Sequence, residues 1–282
     1  MKYLAPVVFL AWAWMAAPPA KADIMTLTSG NSTLKVDPKA PRGVLSWVVD
    51  GAELLYERWF WLRTGADQKE YELIPPHFRL DVARTSANKA GFQYTGGGLT
   101  VQLSLTLTGG PVGSLVSDLM QSIKITNSSL APIELNFFHY ADIDLGGSET
   151  ARFLSPNAVE QIGSTPRRDG VYLNQTIVDG AGLAHHQAAG GSAILDSLND
   201  AGITTLTDAD DARGDGNWAL QWGDRLGPGQ SLLISEDLNI SDPPVSVPES
   251  PASTIILLTG ALAGCALLRR DGLLEAGQGV SK

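Results

Sequence analysis

The side chains able to do chemistry fall into four small groups. Asp142 and Asp144 stand two apart in the run Phe138-His139-Tyr140-Ala141-Asp142-Ile143-Asp144. On a strand that spacing turns both carboxylates to one face, roughly 7 Å apart. Such a pair suits calcium or the acid and base of a glycosidase, and equally a solvated strand end running into a turn. Trp59 and Trp61 flank Phe60 and so share a strand face. Exposed, the two indoles would be a platform for stacking sugars; buried, they are core. Asp208, Asp210 and Asp215 belong to the acidic stretch 208–217. With Asp211 as the first position of a calcium loop, Arg213 takes a ligand position and Trp222 stands where the closing glutamate belongs, so the stretch is no EF-hand. It reads as an acidic surface hairpin without a tight metal site, and those three aspartates are the ones a looser calcium loop would use. His185 and His186, adjacent in sequence, would point apart on a strand and read as a loop pair. His139 falls on the face opposite Asp142 and Asp144 and reads as a hydrogen-bonded core histidine.

No other recognisable chemistry accompanies these groups. There is no G-x-S-x-G, zincin, P-loop or dinucleotide fingerprint, and nothing implies a cofactor. The expectation is a protein that is not an enzyme, with a glycan-binding or glycan-active domain as the alternative.

The elements that must position these residues are strands. In Leu99-Thr100-Val101-Gln102-Leu103-Ser104-Leu105-Thr106-Leu107-Thr108 every odd position is apolar and every even one polar. That period of two predicts a strand with one face buried and one wet. Gly96-Gly97-Gly98 before it predicts a turn, with 90–94 as the hairpin partner. Further strands are expected at 45–49, 54–63, 78–82, 122–126, 133–144, 171–178, 218–222 and 231–240, with one short helix at 193–199. Many short strands separated by Gly, Asn, Asp and Pro predict an all-β fold, an antiparallel β-sandwich of the immunoglobulin-like or jelly-roll type.

The two ends of the chain are of another kind. Residues 1–22 carry a Lys at position 2, an apolar stretch and Ala20-Lys21-Ala22, the pattern of a secretory signal peptide cut before Asp23. Residues 23–241 would be the exported domain. Residues 242–252 are Pro-rich and read as a stiff spacer. Residues 253–268 are free of charge and would make a helix about 24 Å long, close to a single membrane span. Arg269 and Arg270 follow, where the positive-inside rule keeps them and the tail 269–282 in the cytoplasm.

Val247-Pro248-Glu249-Ser250-Pro251, the apolar helix and the Arg269-Arg270 pair resemble the C-terminal sorting signal of bacterial PEP-CTERM proteins. In that family a Pro-Glu-Pro motif precedes a membrane helix and a basic cluster; here the second proline is displaced to Pro251. Segments 135–147, 195–200, 218–222 and 226–231 also resemble exported members of that class. The resemblance implies signal peptidase and an exosortase-like membrane enzyme as partners. It also implies a transient inner-membrane stage, then delivery to the outer surface or an exopolysaccharide matrix. It carries no catalytic residue with it.

Charge excludes one class of partner. The chain has 20 basic and 30 acidic residues, a net charge of −10. Taking away Lys2 and Lys21 with the signal, and Glu249, Asp271, Glu275, Arg269, Arg270 and Lys282 with the tail, makes the domain more acidic still. Such a surface repels nucleic acid. The single cysteine, Cys265, lies in the apolar tail segment, so the exported domain has neither disulfide nor thiol chemistry.

Overall fold

The computed structural model describes residues 24–241 apart from positions 66, 148, 166, 167 and 181. The expected signal peptide (1–22), the spacer with its sorting motif (Val247, Pro248, Glu249, Pro251), the apolar segment 253–268 and the Arg269-Arg270 end lie outside the described residues.

Two antiparallel sheets make up the domain, with strands numbered along the chain. The first runs in the order β1 (Met25–Ser29), β2 (Ser32–Val36), β3 (Val44–Val49), β5 (Glu57–Thr64), β11 (Ile133–Asp142), β17 (Gly216–Leu226), β15 (His185–Gly190). Two short strands, β4 (Ala52–Glu53) and β6 (Tyr71–Glu72), pair with β3 and β5. The second sheet runs β16 (Asp211–Gly214), β12 (Glu149–Ser155), β13 (Ala158–Thr165), β14 (Arg168–Asp179), β18 (Ser231–Ser241), β10 (Ser117–Asn127), β9 (Leu99–Gly109), β8 (Lys89–Gly96), β7 (Arg79–Ser86). The sandwich is larger than the sequence suggested. Nine strands in each sheet among the described residues exceed the roughly seven to nine in total of an immunoglobulin domain and the eight of a jelly roll.

The strand β9 shows how sequence becomes core. Leu99, Val101, Leu103, Leu105 and Leu107 are each no more than 2% exposed. Leu103 sits between Phe92 of β8 and Ile123 of β10, in register with both. Burying each such side chain is worth about 1.5–3 kcal/mol. The register is set at the hairpin, where Gly97 (φ +58°) and Gly98 (φ +78°) form the whole β8–β9 turn. Two consecutive left-handed residues give the two-residue turn whose twist matches the strands it joins.

The central strands of the first sheet depart from alternation because both faces are covered. In β11 every residue from Phe137 to Asp142 is buried, and in β5 every residue from Glu57 to Leu62. One face looks onto the second sheet. Over the other lie the one helix among the described residues, α1 (Ala193–Asn199), which buries Ile194 and Leu198 four residues apart, and the following segment with Leu206. The backbone of Leu206 is tied down by the side-chain oxygen of Gln221 on β17. Gly43 marks the tightest packing in this sheet: at φ +51° a Cβ there would fall 1.6 Å from the Trp59 ring.

A polar knot crosses the interior. Oε2 of Glu236 on β18 accepts from Arg58 Nη2 (3.2 Å), Gln121 Nε2 (2.9 Å) and Gln175 Nε2 (3.1 Å), and Gln175 Oε1 accepts from Trp218 Nε1 (2.7 Å). His139 Nδ1 lies 2.9 Å from the same oxygen. The contact lacks the alignment of a hydrogen bond, so this histidine is core as expected but paired by proximity alone. Burial drives the His139 imidazole below its ordinary value, with Glu236 pulling the other way. Burial also pushes Arg58 down to about 10, against the opposing pull of Glu236, so the guanidinium keeps its charge at neutral pH.

Candidate carboxylate cleft

The strand β11 stops at Asp142, and the chain then leaves the sheet. Asp142 O accepts from Tyr56 N (3.0 Å) and Asp144 N donates to Leu54 O (3.2 Å), so the segment before β5 fixes this exit. Ile143 and Leu145 stay buried while Asp144 faces solvent. Gly146 N then donates to Asp144 Oδ1 (3.0 Å) and Glu149 Oε1 (2.6 Å), closing the turn. From the other side Gly191 N donates to Asp215 O (2.9 Å), which brings the β16–β17 turn against the start of α1.

Between these segments opens a cleft of 240 Å³ lined by Tyr56, Tyr140, Asp142, Asp144, Gly191, Ser192, Leu195 and Asp215. Asp142 is only 7% exposed, and the Tyr140 hydroxyl donates to its Oδ2 at 3.3 Å. Burial pushes the Asp142 carboxyl up to about 7; Asp215, Glu57 and Asp144 add to the rise, and the Tyr140 hydrogen bond opposes it. Glu149, beside Asp144, is pushed up to about 8, chiefly by burial, with the Gly146 N–H opposing. Withdrawn from water beside other carboxylates, Asp142 and Glu149 hold their protons into the neutral range. Carboxyl groups of this kind both donate to and accept from hydroxyl groups, and the Tyr56 ring and Leu195 offer apolar surface beside them.

The other sequence candidates go elsewhere. Trp59 and Trp61 are both fully buried, so they form no sugar platform. Trp59 Nε1 donates to Leu73 O (3.1 Å), and its ring meets Tyr94 edge-on. Trp61 Nε1 donates to Asn199 Oδ1 (3.0 Å). Asp142 and Asp144 do line one cleft, though not as neighbours on a strand, because β11 ends between them. Asp142 is buried rather than a solvated strand end.

The stretch 208–217 is no single loop. Asp208 Oδ2 lies 2.9 Å from His185 Nδ1, and Asp210 Oδ1 lies 2.8 Å from His186 Nε2. The two histidines lie on β15, paired with Gln221 and Leu220 of β17, where the sequence suggested a loop. The His185 contact is the main reason the Asp208 carboxyl lies below its ordinary value. Asp215, by contrast, belongs to the carboxylate cleft, so the three aspartates do not converge. Among the described residues no three His, Cys, Asp or Glu side chains are grouped to hold a metal ion.

Asp215, Tyr56 and Tyr140 were not read from the sequence as partners of Asp142. Their separations along the chain carry no periodic signal, and only the pairing of β11 with β5 and β17 brings them together.

No protein-family model matches the chain, and no curated protein matches its sequence. Solved structures do share its fold. One is a bacterial glucoamylase complexed with acarbose, with a TM-score of 0.53 and 12% identity over 84% of this chain; the chain spans 35% of that protein. Another is the Slr1438 protein from Synechocystis sp. PCC 6803, with a TM-score of 0.51 and 11% identity over 81% of this chain and 99% of that one. A putative aldose 1-epimerase from Escherichia coli K12 lies further away, at a TM-score of 0.46 and 12% identity over 78% of this chain and 99% of that one. At such identities the first two likenesses establish the class of fold, a large antiparallel β-sandwich, and nothing about activity.

Proposed function

We propose that this is an exported, non-catalytic carbohydrate-binding protein that holds a glycan in the cleft between the end of β11 and the start of α1. The observation that carries the reading is the convergence of Asp142, Asp144 and Asp215 beside Tyr56 and Tyr140 in an open cleft. Asp142, partly protonated near neutrality, and the two tyrosine hydroxyls offer donors and the other carboxyl oxygens acceptors, which is what a ring of sugar hydroxyls requires. The occurrence of a glucoamylase among proteins of this fold is in keeping with that ligand class. Delivery follows from the two chain ends: signal peptidase releases the domain outside, and an exosortase-like enzyme processes it near Pro248. The domain then reaches an envelope or exopolysaccharide layer.

The test is binding of the purified protein to its host's exopolysaccharide by affinity electrophoresis. Retardation that disappears in Asp142→Asn and Asp215→Asn supports the reading; retardation equal in both variants, or absent from wild type, removes it.

One observation favours a second reading. An Asp142 carboxyl held near neutrality is suited to general-acid work on a glycosidic oxygen. Release of reducing ends from the same polysaccharide, abolished in Asp142→Asn, would make the cleft an active site.

A further inference from the structure

We infer that Gln161, a buried residue of β13 that does not itself line the carboxylate cleft, is the positioning residue that sets the spacing of the cleft's carboxyls. β13 belongs to the second sheet, where Gln161 lies in register with Ala151 and Leu173, both buried like it. From there its side chain reaches the ends of two strands of the first sheet, β11 and β17, where the cleft opens.

Three contacts carry the inference, all made by one nitrogen. Gln161 Nε2 donates to Ile143 O (2.6 Å), to Gly216 O (3.2 Å) and to Glu149 Oε2 (2.8 Å). Its two hydrogens are shared among the three acceptors. Ile143 stands between Asp142 and Asp144, and Gly216 follows Asp215. One amide therefore grips the peptides that carry both walls of the cleft. The third partner secures the turn after Asp144, since Glu149 Oε1 and Asp144 Oδ1 both accept from Gly146 N.

The arrangement is kept at a cost to the fold. Among the described residues nothing donates to Gln161 Oε1, which is buried, and such an atom lowers stability. Asn217 repeats the pattern on the other side of the cleft. It is fully buried, its Nδ2 donates to the carbonyl of Gly191, a lining residue, and its Oδ1 is bare. Two buried amides beside one cleft thus commit their nitrogens to its backbone and leave their oxygens unpaired. Local rules are broken in this way where a site needs a set geometry rather than the most stable packing.

The spacing has an electrostatic consequence. Burial is the first cause of the raised Asp142 carboxyl, and the charge of Asp215 is the next. Loosening the hold on Gly216 admits water and lets Asp215 move away, and both changes bring Asp142 down. The positioning role stands on the hydrogen bonds; that it serves a glycan rests on the function proposed above.

The experiment is NMR titration of the Asp142 side-chain carbon in the free protein, together with affinity electrophoresis against the host's exopolysaccharide. It compares wild type with Gln161→Met, which keeps the bulk and removes the amide. Gln161→Asn keeps a buried amide but is one methylene short, and it serves if Gln161→Met does not fold. Slow hydrogen exchange in β9 shows that the core is intact. The expected result is a midpoint near 7 in wild type that falls toward the ordinary aspartate range in the variant. Retardation by the polysaccharide should weaken about tenfold or more, as a loosened site loses its geometry. A midpoint that stays near 7 in a folded Gln161 variant overturns the inference, whether or not glycan binds. A lowered midpoint with undiminished binding also overturns it, because the spacing would then not serve the ligand. A lowered midpoint with no retardation even of wild type keeps the positioning role and removes the function proposed above.

Discussion

The indole nitrogen of Trp61 donates to Oδ1 of Asn199 at 3.0 Å, joining the middle of β5 to the last residue of α1. A side chain that reads as a sugar platform therefore works as a fastener beneath the helix. Trp61→Phe keeps much of the buried ring and removes the donor. It should cost about 1–2 kcal/mol in denaturant unfolding and raise hydrogen exchange in α1 above that of β9. Equal exchange in both elements would mean that α1 is held by Ile194 and Leu198 alone.

The interior knot should behave as a unit. Glu236→Leu leaves the Arg58 guanidinium buried without its counter-charge and should cost about 3–5 kcal/mol. Adding Arg58→Met should recover the part of that loss owed to the unpaired charge, leaving the cost of the Gln121 and Gln175 amides that lose their acceptor. A double variant as unstable as the single one would show that the charge pair is not the source of the cost. The measurement is urea unfolding of both variants at pH 7.

Stability should fall as pH rises through neutrality. Burial raises the folded-state values of Asp142 and Asp118 to about 7 and of Glu149 to about 8, above the ordinary 3.8 and 4.5. The folded state thus keeps protons that the unfolded chain gives up. This contribution is complete below the ordinary carboxylate range and is lost as pH rises through the folded values. His139 acts in the opposite sense: its value is depressed below 6.5, so its contribution is present above 6.5 and lost as pH falls. Thermal unfolding from pH 5 to pH 9 should show the alkaline decline in wild type and a shallower one in Asp142→Asn.

The sorting reading predicts a processing defect. Replacing Pro248-Glu249 by Ala-Ala should leave membrane insertion intact, since apolarity drives it, and abolish cleavage. Uncut protein would then accumulate in the inner membrane. Wild-type protein retaining its Lys282 end while stable in that membrane would make the tail a plain anchor.

How much of this was legible depended on whether one residue's surroundings repeat along the chain. β9 was readable because its alternation is unbroken for ten residues and all five of its inward side chains are aliphatic. The helix at 193–199 was readable from Ile194 and Leu198 spaced by four. β12 and β13 were not, because Arg152 and Glu160 mix with small residues and no clean period of two survives. β1 and β2 were not expected either, although Met25 and Leu27, and Leu34 and Val36, alternate with polar residues over five positions each. For the site, Asp142 and Asp144 were visible as a pair, but Asp215 looked like part of an acidic hairpin with Asp208 and Asp210. The separation is tertiary: the histidines of β15 draw Asp208 and Asp210 to one side, while the β16–β17 turn delivers Asp215 to the other. Trp59 and Trp61 were ambiguous because the sequence does not say that α1 and the segment after it cover the outer face of β5.

The central claim is that a glycan occupies the cleft around Asp142, and the carboxyl resonance of that residue reports on it most directly. Titration of the Asp142 side-chain carbon by NMR should give a midpoint near 7 in the free protein. That midpoint should move when fragments of the host's exopolysaccharide are added, as sugar hydroxyls replace water around the carboxyl. A midpoint in the ordinary aspartate range, or one that does not change at saturating fragment, would contradict the account.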